Sequence, residues 1–170
     1  MAKTLQEQFI DLVNEANPDL NLTLADVVFG DPAPYTPGAE GGTRNSVLTL
    51  TAKSESGTFK GSKEYHFTRY NLTHPNGEDT YSWQVTDIHE PWQDDAYALK
   101  QFNLNLPNNW PTLDDVVISR WTVPEEPDNL YVKIKMHDTL LKWWGSFVII
   151  VTDVGKQGLM FANGELTGFK

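Results

Sequence analysis

The sequence contains one pattern twice, and a duplicated chain is expected to build the same small unit of structure two times. The segment TLADVV, which begins at Thr23, matches TLDDVV, which begins at Thr112, in five of six positions. Pro18 and Pro107 lie five residues before these segments, so both features share an offset of 89 residues. An offset shared by several features favours duplication over chance matches between β-rich segments.

Farther along the chain, the matched residues are 84 residues apart instead of 89. The matches are Leu48 with Val132, Leu50 with Ile134, Phe59 with Trp143, Gly61 with Gly145, and Ser62 with Ser146. In the first repeat 17 residues separate Phe29 from Val47. In the second repeat 12 separate Ile118 from Tyr131. The five extra residues therefore fall in the Pro- and Gly-rich segment 30–42, and surface loops accept insertions at low cost.

The start of the chain has the apolar period of a helix. Thr4 and Glu7 are spaced as a capping box, and Asn17 with Pro18 ends the pattern. The apolar positions are Leu5, Phe9, Leu12, Val13 and Ala16. A shorter helical pattern over residues 94–102 precedes Pro107 and echoes the first helix.

Alternating apolar and polar residues predict half-buried strands over 47–52 and 59–67. Turn sequences at 30–42, 54–57 and 74–77 separate the strands of the first repeat. Thr23 with Asp26, and Thr112 with Asp115, fit the spacing of a capped helical turn at the start of each D-V-V segment.

Each repeat thus predicts a helix, a capped turn, a loop and two or three antiparallel strands. We expect an α+β, β-rich fold in which two related halves, residues 1–90 and 91–170, pack together like a β-sandwich with pseudo-twofold character. A unit of about eighty residues is only marginally stable alone. Superposition of the halves should place Val27 on Val116 and Gly61 on Gly145.

Composition excludes several classes of protein. The 170 residues include no cysteine, which removes disulfide frameworks, thiolate zinc sites and cysteine nucleophiles. A net charge of −10 without a basic cluster disfavours direct binding of nucleic acid. The longest apolar run, 147–151, is far too short to span a bilayer, and the first residues lack the apolar core of a signal peptide. We therefore expect no membrane partner and synthesis in a cytoplasm.

Motifs that position a nucleophile, a phosphate or a metal are missing from the sequence: it has no GxSxG, P-loop, GxGxxG, HExxH or EF-hand pattern. We therefore predict that the protein is not an enzyme and has no catalytic, cofactor-binding or metal-binding residues. His89 and Glu90 are adjacent and would point to opposite faces of a strand. The acidic pairs Asp114 with Asp115 and Glu78 with Asp79 lack the alternating spacing of a calcium loop, although calcium binding by such a pair stays open.

The segment NLTLADVVFGDP, followed by NSVLTLTAKSESGTFKGSKEYHFTRYNL, resembles a family of small β-rich modules in virion structural proteins of large tailed bacteriophages. The resemblance covers roughly Leu22 to Leu72 and rests on a D-V-x-F segment, an aromatic residue with a G-S pair, and a strand that ends before Asn-Leu. The matching residues are Asp26, Val27, Phe29, Phe59, Gly61, Ser62, Arg69, Asn71 and Leu72. The second repeat keeps DVV and GS but has Thr152 and Asp153 where the first has its Arg-Tyr-Asn-Leu ending.

The resemblance implies a role in assembly, as a structural component of a phage head, neck, tail or baseplate. Its implied partners are other phage structural proteins, with self-association, and its implied location is the virion. None of the matching residues has a catalytic role in that family.

The segment 143–152 is apolar on both faces if it forms one strand. Its inner face would carry Trp143, Phe147, Ile149 and Val151, and its outer face Trp144, Val148 and Ile150. Either the rest of the chain or another subunit must cover the outer face, so we predict a protein interface at Trp144, Val148 and Ile150. In that case Trp144→Lys should leave the monomer folded and block assembly.

Two other functions remain open at this point. The acidic composition and six tryptophans also suit a carbohydrate-binding or adhesin module, because exposed indole rings stack on sugars. An enzyme such as a glycosidase would need two carboxylates beside a cleft, which sequence spacing does not reveal.

Overall fold

A computed structural model of the protein describes residues 3–39, 41–73, 82–104, 106 and 111–154. Two helices and ten strands lie within these residues, so the expected α+β, β-rich class is confirmed. The chain forms two compact units. The first unit contains Met1–Thr73 and Met136–Gly145, and the second contains His74–Lys135 and Ser146–Lys170.

These bounds differ from a division at residue 90. The segment Met136–Gly145, which belongs to the second repeat by sequence, lies in the first unit. Strand β6, Ser82–Thr86, falls within the expected first half but belongs to the sheet of the second unit.

The first unit is a four-stranded sheet with one helix. Its elements are α1 Leu5–Ala16, β1 Val27–Phe29, β2 Ala33–Pro34, β3 Ser46–Ala52, β4 Ser62–Phe67, β5 Tyr70–Asn71 and β9 Trp143–Trp144. Strand β3 is central, because β4 pairs with one side of it and β1 and β2 pair with the other, all antiparallel. The short strands β5 and β9 pair in parallel.

The second unit has a four-stranded sheet in the order β6-β10-β8-β7. Its elements are β6, α2 Asp95–Asn103, β7 Val116–Val123, β8 Glu126–Met136 and β10 Ser146–Thr152. Strand β10 pairs with β6 in parallel and with β8 antiparallel. Strand β10 therefore lies inside the sheet, which explains its continuous apolar sequence.

Helix α1 forms as the sequence predicts. The Thr4 hydroxyl accepts a hydrogen bond from the Glu7 amide at 3.2 Å, and the Glu7 carboxylate accepts one from the Thr4 amide at 2.6 Å. The helix buries Phe9, Ile10 and Val13. Around Phe9 stand three rings in edge-on contact, those of Phe29, Tyr65 and Phe67 at centroid distances of 5.7, 6.4 and 5.0 Å. These contacts fix the helix on the sheet.

Several contacts occur twice in the structure at the offset of 89 residues. Both Thr23 and Thr112 donate hydrogen bonds from their amide and hydroxyl groups to the carboxylates of Asp26 and Asp115, respectively. Helix α2 buries Ala98, Leu99 and Phe102, which correspond in order to the buried residues of α1. The predicted caps and the second helix are confirmed.

Other contacts repeat at the offset of 84 residues. Leu50 faces Lys63 across β3 and β4, and the corresponding Ile134 faces Phe147 across β8 and β10. The amide of Ala52 donates to Gly61 O at 2.8 Å, and that of Met136 donates to Gly145 O at 2.9 Å. The two repeats therefore share ladder register as well as sequence.

One repeated contact is incomplete in the second unit. In the first unit the Asn14 side chain donates to Leu22 O at 2.9 Å and accepts from the Leu22 amide at 2.8 Å. The corresponding Asn103 donates to Pro111 O at 3.0 Å. Proline has no amide hydrogen, so Pro111 cannot donate a second hydrogen bond to the Asn103 side chain. The Oδ1 atom of Asn103 is consequently buried and has no hydrogen-bond partner among the residues that the structure describes.

This difference predicts unequal effects of the same substitution. Asn14→Ala should lower the free energy of unfolding by about 2 kcal/mol, because it removes two hydrogen bonds and takes away the acceptor of the Leu22 amide. Asn103→Ala should cost about 1 kcal/mol or less, because it also removes an unsatisfied buried acceptor. Guanidinium denaturation followed by circular dichroism measures both, and equal losses would contradict the contact scheme.

The prediction of a loop over residues 30–42 is wrong for Ala33 and Pro34. Ala33 and Pro34 form β2 and pair with Val47 and Ser46 of β3. Proline is tolerated there because β2 is an edge strand and its missing amide hydrogen is not needed. Tyr35 follows, with its ring stacked on that of His66 at a centroid distance of 3.8 Å.

The inserted residues beyond Tyr35 are expected to be dispensable. Deletion of residues 37–41 shortens a connection without removing a strand pair, and loop-closure entropy changes by under about 1 kcal/mol. The melting temperature should therefore stay within a few degrees of that of the wild type. Deletion of residues 33–35 is the matched control, because it removes β2 and should lower the melting temperature further; a similar fall for both would show that the loop is packed.

Two predicted strands are interrupted by glycine. The strand expected over 59–67 begins only at Ser62, after Gly61 with φ of +81°. The strand expected over 143–152 is divided into β9 and β10 by Gly145 with φ of +88°. This left-handed conformation does not occur in a regular strand, and it ends the alternation that the sequence pattern assumed.

Candidate functional site

Several carboxylates and histidines of the described residues make structural contacts. No three of these side chains lie together within the described part of the chain in a way that could hold a metal ion. His89 Nε2 lies 2.9 Å from Val151 O. Asp87 accepts hydrogen bonds from the Trp92 indole at 3.0 Å and the Tyr97 hydroxyl at 3.1 Å, and the bond from Trp92 lowers the pKa of Asp87. The acidic pair at 78–79 lies outside the described residues.

Asp26, which carries part of the resemblance, caps a turn. Its carboxylate accepts hydrogen bonds from Thr23 and, at 3.1 Å, from the hydroxyl of Ser56. The hydrogen bond from the Thr23 side chain is the main reason that the pKa of Asp26 lies below its usual value. Asp26 therefore joins the D-V-V segment to the turn at 53–56.

Arg69, which also carries the resemblance, is a buried brace in the first unit, with 3% of its surface exposed. Its Nε donates to Ser46 Oγ at 2.7 Å, and its Nη1 donates to the carbonyls of Asp138 at 3.1 Å and Leu140 at 3.2 Å. The guanidinium lies 5.4 Å from the ring centroid of Trp144. Burial lowers the pKa of Arg69, and the Asp138 charge opposes that shift. Arg69 thus fastens the segment Met136–Gly145 within its unit.

The residues predicted to form an interface do not share one strand face. Trp144 lies in β9 of the first unit and is half-buried, and its buried indole nitrogen has no hydrogen-bond partner in the described part of the chain. Val148, which is 6% exposed, and the half-buried Ile150 lie in β10 of the second unit. Their contact with a partner stays a prediction. Since Lys at position 144 would put a second cation beside Arg69, Trp144→Lys is now expected to destabilise the monomer.

Tryptophan placement identifies a different surface. Trp92 and Trp143 are buried, Trp83 and Trp144 are half-buried, and Trp110 lies outside the described residues. Trp121 on β7 is 39% exposed. Sequence reasoning missed it, although Val117, Ser119 and Trp121 alternate along the strand and could have indicated an outward face.

We call Val117, Ser119 and Trp121 the β7 surface; all three are exposed. The Trp121 ring stacks on the ring of Tyr131 in β8, with centroids 5.3 Å apart and planes 15° apart. Tyr131 in turn faces Ile150 across the β8–β10 ladder. Hydrogen bonding to the Glu126 carboxylate raises the pKa of the Tyr131 hydroxyl and fixes its ring. The β7 surface therefore continues into an ordered row of large side chains.

A groove in the first unit also exposes apolar side chains. Leu5, Leu12 and Tyr70 line it and are 39%, 60% and 49% exposed. Arg69 and Lys142 line the same groove and add positive charge to it.

Comparison with known proteins places the chain in a family. Residues 1–170 match the family described as Family of unknown function (DUF7941), and the chain belongs to that family. No curated protein and no solved structure matches the chain. Among the described residues, neither helix has the length and apolar character needed to cross a membrane.

Proposed function

We propose that this family member is a structural component of a tailed-bacteriophage virion and acts through protein–protein assembly. The observation that carries the assembly role is the β7 surface, where Val117 and Trp121 are exposed on an edge strand of a regular sheet. Exposed tryptophan on an ordered surface is characteristic of interface hot spots. The virion setting comes from the resemblance over Leu22 to Leu72.

The partners we propose are other phage structural proteins and further copies of the chain. A net charge of −10 supports a role without direct contact to nucleic acid. In this proposal the protein is made in the bacterial host cytoplasm and is then incorporated into the particle, without a membrane partner.

Density-gradient purification of phage particles tests the proposal. The chain should band with intact particles and stay bound after a wash in high salt, because an apolar interface is not weakened by screening. Recovery only in the unbanded lysate would contradict a virion role.

A carbohydrate-binding module is the second candidate, and the exposed Trp121–Tyr131 stack favours it. Aromatic faces flanked by hydrogen-bonding groups suit sugar rings, and Glu126 and Asn129 lie beside Tyr131 in the same strand. A glycan array with the wild type and Trp121→Ala separates the candidates. Binding that Trp121→Ala abolishes would support the module, whereas an array without binding would count against it.

A further inference from the structure

We propose that a second copy of this chain adds its β7 to the outer edge of β7, antiparallel and centred on Ser119. The inference rests on the proposed assembly function and names the partner of that same surface. It joins two four-stranded sheets into one continuous sheet across a twofold axis.

Within the described residues, no strand pairs with the outer edge of β7. Strand β7 is eight residues long and is the last strand of its sheet, and β8 is its one neighbour among the described strands. Natural edge strands are commonly protected by Lys, Pro or a bulge, and β7 contains neither Lys nor Pro. Its one charged residue, Arg120, is engaged with Trp92 O at 2.6 Å and with Asp95 at 2.7 Å.

The first repeat shows that this long edge is a departure from the shared pattern. The corresponding strand β1 has three residues, and Val28 stands where β7 has Val117. Both valines are about half exposed, at 53% and 52%. A strand of three residues offers too few backbone groups to pair with another chain, whereas eight residues match an ordinary strand.

The β7 surface is complementary to itself. When two antiparallel strands are centred on Ser119, Val117 of each copy lies opposite Trp121 of the other, and Ser119 lies opposite its own equivalent. Aromatic residues paired with β-branched residues are among the favourable cross-strand contacts. A shift of the register by two residues would place Trp121 opposite Ser119 and lose both contacts.

Charge predicts how this association responds to salt. Two chains of net charge −10 repel one another at low ionic strength. The β7 surface itself carries no acidic residue, so the contact is apolar. The dimer should therefore become tighter between 0.05 and 0.5 M salt, because the Debye length shortens over that range and the repulsion between the two chains is screened.

Single cysteines test the register directly, since the chain has no cysteine of its own. Opposite residues of an antiparallel pair have Cβ atoms about 4.5–5.5 Å apart, close to the separation in a disulfide. Ser119→Cys should form a disulfide-linked dimer under mild oxidation. Val117→Cys and Trp121→Cys should cross-link poorly alone and efficiently when mixed. Val28→Cys is the matched control and should not cross-link.

Sedimentation provides a second readout that needs no cysteine. Trp121→Lys should weaken the dimer at least about tenfold, and Val28→Lys should leave it unchanged. Cross-linking of Val28→Cys as fast as Ser119→Cys, or a wild-type chain that stays monomeric at high concentration and high salt, would overturn the pairing.

The two proposals fail in different ways. If the chain is present in purified particles but its Ser119→Cys variant does not cross-link, the virion role stands and this pairing is wrong. If the Ser119→Cys variant cross-links but the chain is absent from particles, the pairing stands and the virion role is wrong.

Discussion

Gly145→Ala is expected to destabilise the protein by about 3 kcal/mol or more, whereas Gly61→Ala at the matching position should cost about 1–2 kcal/mol. Both glycines have positive φ, at +88° and +81°, so each substitution carries the cost of a left-handed conformation. The difference comes from the surroundings. A Cβ at Gly145 would overlap Thr73 Oγ1 and lie 2.9 Å from the Thr73 amide nitrogen, while a Cβ at Gly61 would meet nothing within 4 Å.

Thermal unfolding measures this difference. For a chain of this size each kcal/mol lowers the melting temperature by roughly 2–4 °C, so Gly145→Ala should melt at least about 6 °C lower. The Gly61→Ala variant supplies the control for backbone conformation alone. Equal shifts for the two variants would show that the close approach of Thr73 to Gly145 does not exist.

Arg69→Met should lower stability by about 3 kcal/mol. The substitution keeps most of the buried volume but removes three hydrogen bonds, and it leaves the carbonyls of Asp138 and Leu140 without this donor. Relief from burying a charge offsets part of that loss. Arg69→Lys should also destabilise, because a single ammonium does not reproduce the fork of the guanidinium.

Arg44→Met is the matched control for Arg69→Met, since Arg44 is exposed and the change in net charge is the same. It should alter stability by less than about 0.5 kcal/mol. Proteolysis of the native proteins adds a local readout, because loss of the brace should expose the segment Met136–Gly145 to cleavage. An Arg69→Met protein as stable and as resistant as the wild type would contradict the role of Arg69.

Features that depend on neighbouring residues could be predicted from the sequence. Short-range patterns predict the helix cap at Thr4 and the caps at Thr23 and Thr112, and the structure has all three. The strand partners could not be predicted in this way. The parallel pairing of β6 with β10 and the placement of residues 136–145 join segments that are distant in sequence, and periodicity does not specify such pairs.

At the candidate site, too, some features could be predicted from neighbouring residues and others depend on distant ones. Alternation predicts that Trp144 shares a strand face with Val148 and Ile150, but the positive φ of Gly145 ends that alternation. The recurrence of glycine at 61 and 145 is the sequence signal for this break. Trp121 could have been found from the alternation of β7, because its neighbours at 117 and 119 are on the same face. The role of Arg69 depends on carbonyls about 70 positions away, which no sequence pattern indicates.

We propose that this protein is an assembly component of a virion. Quantitative mass spectrometry of gradient-purified phage particles from the source of this sequence tests the proposal most directly, with the major structural proteins as internal references. We expect the chain in every preparation, at a fixed ratio to those proteins that does not change on repeated purification. Absence from the particles, or a ratio that falls with each purification step, would contradict the claim.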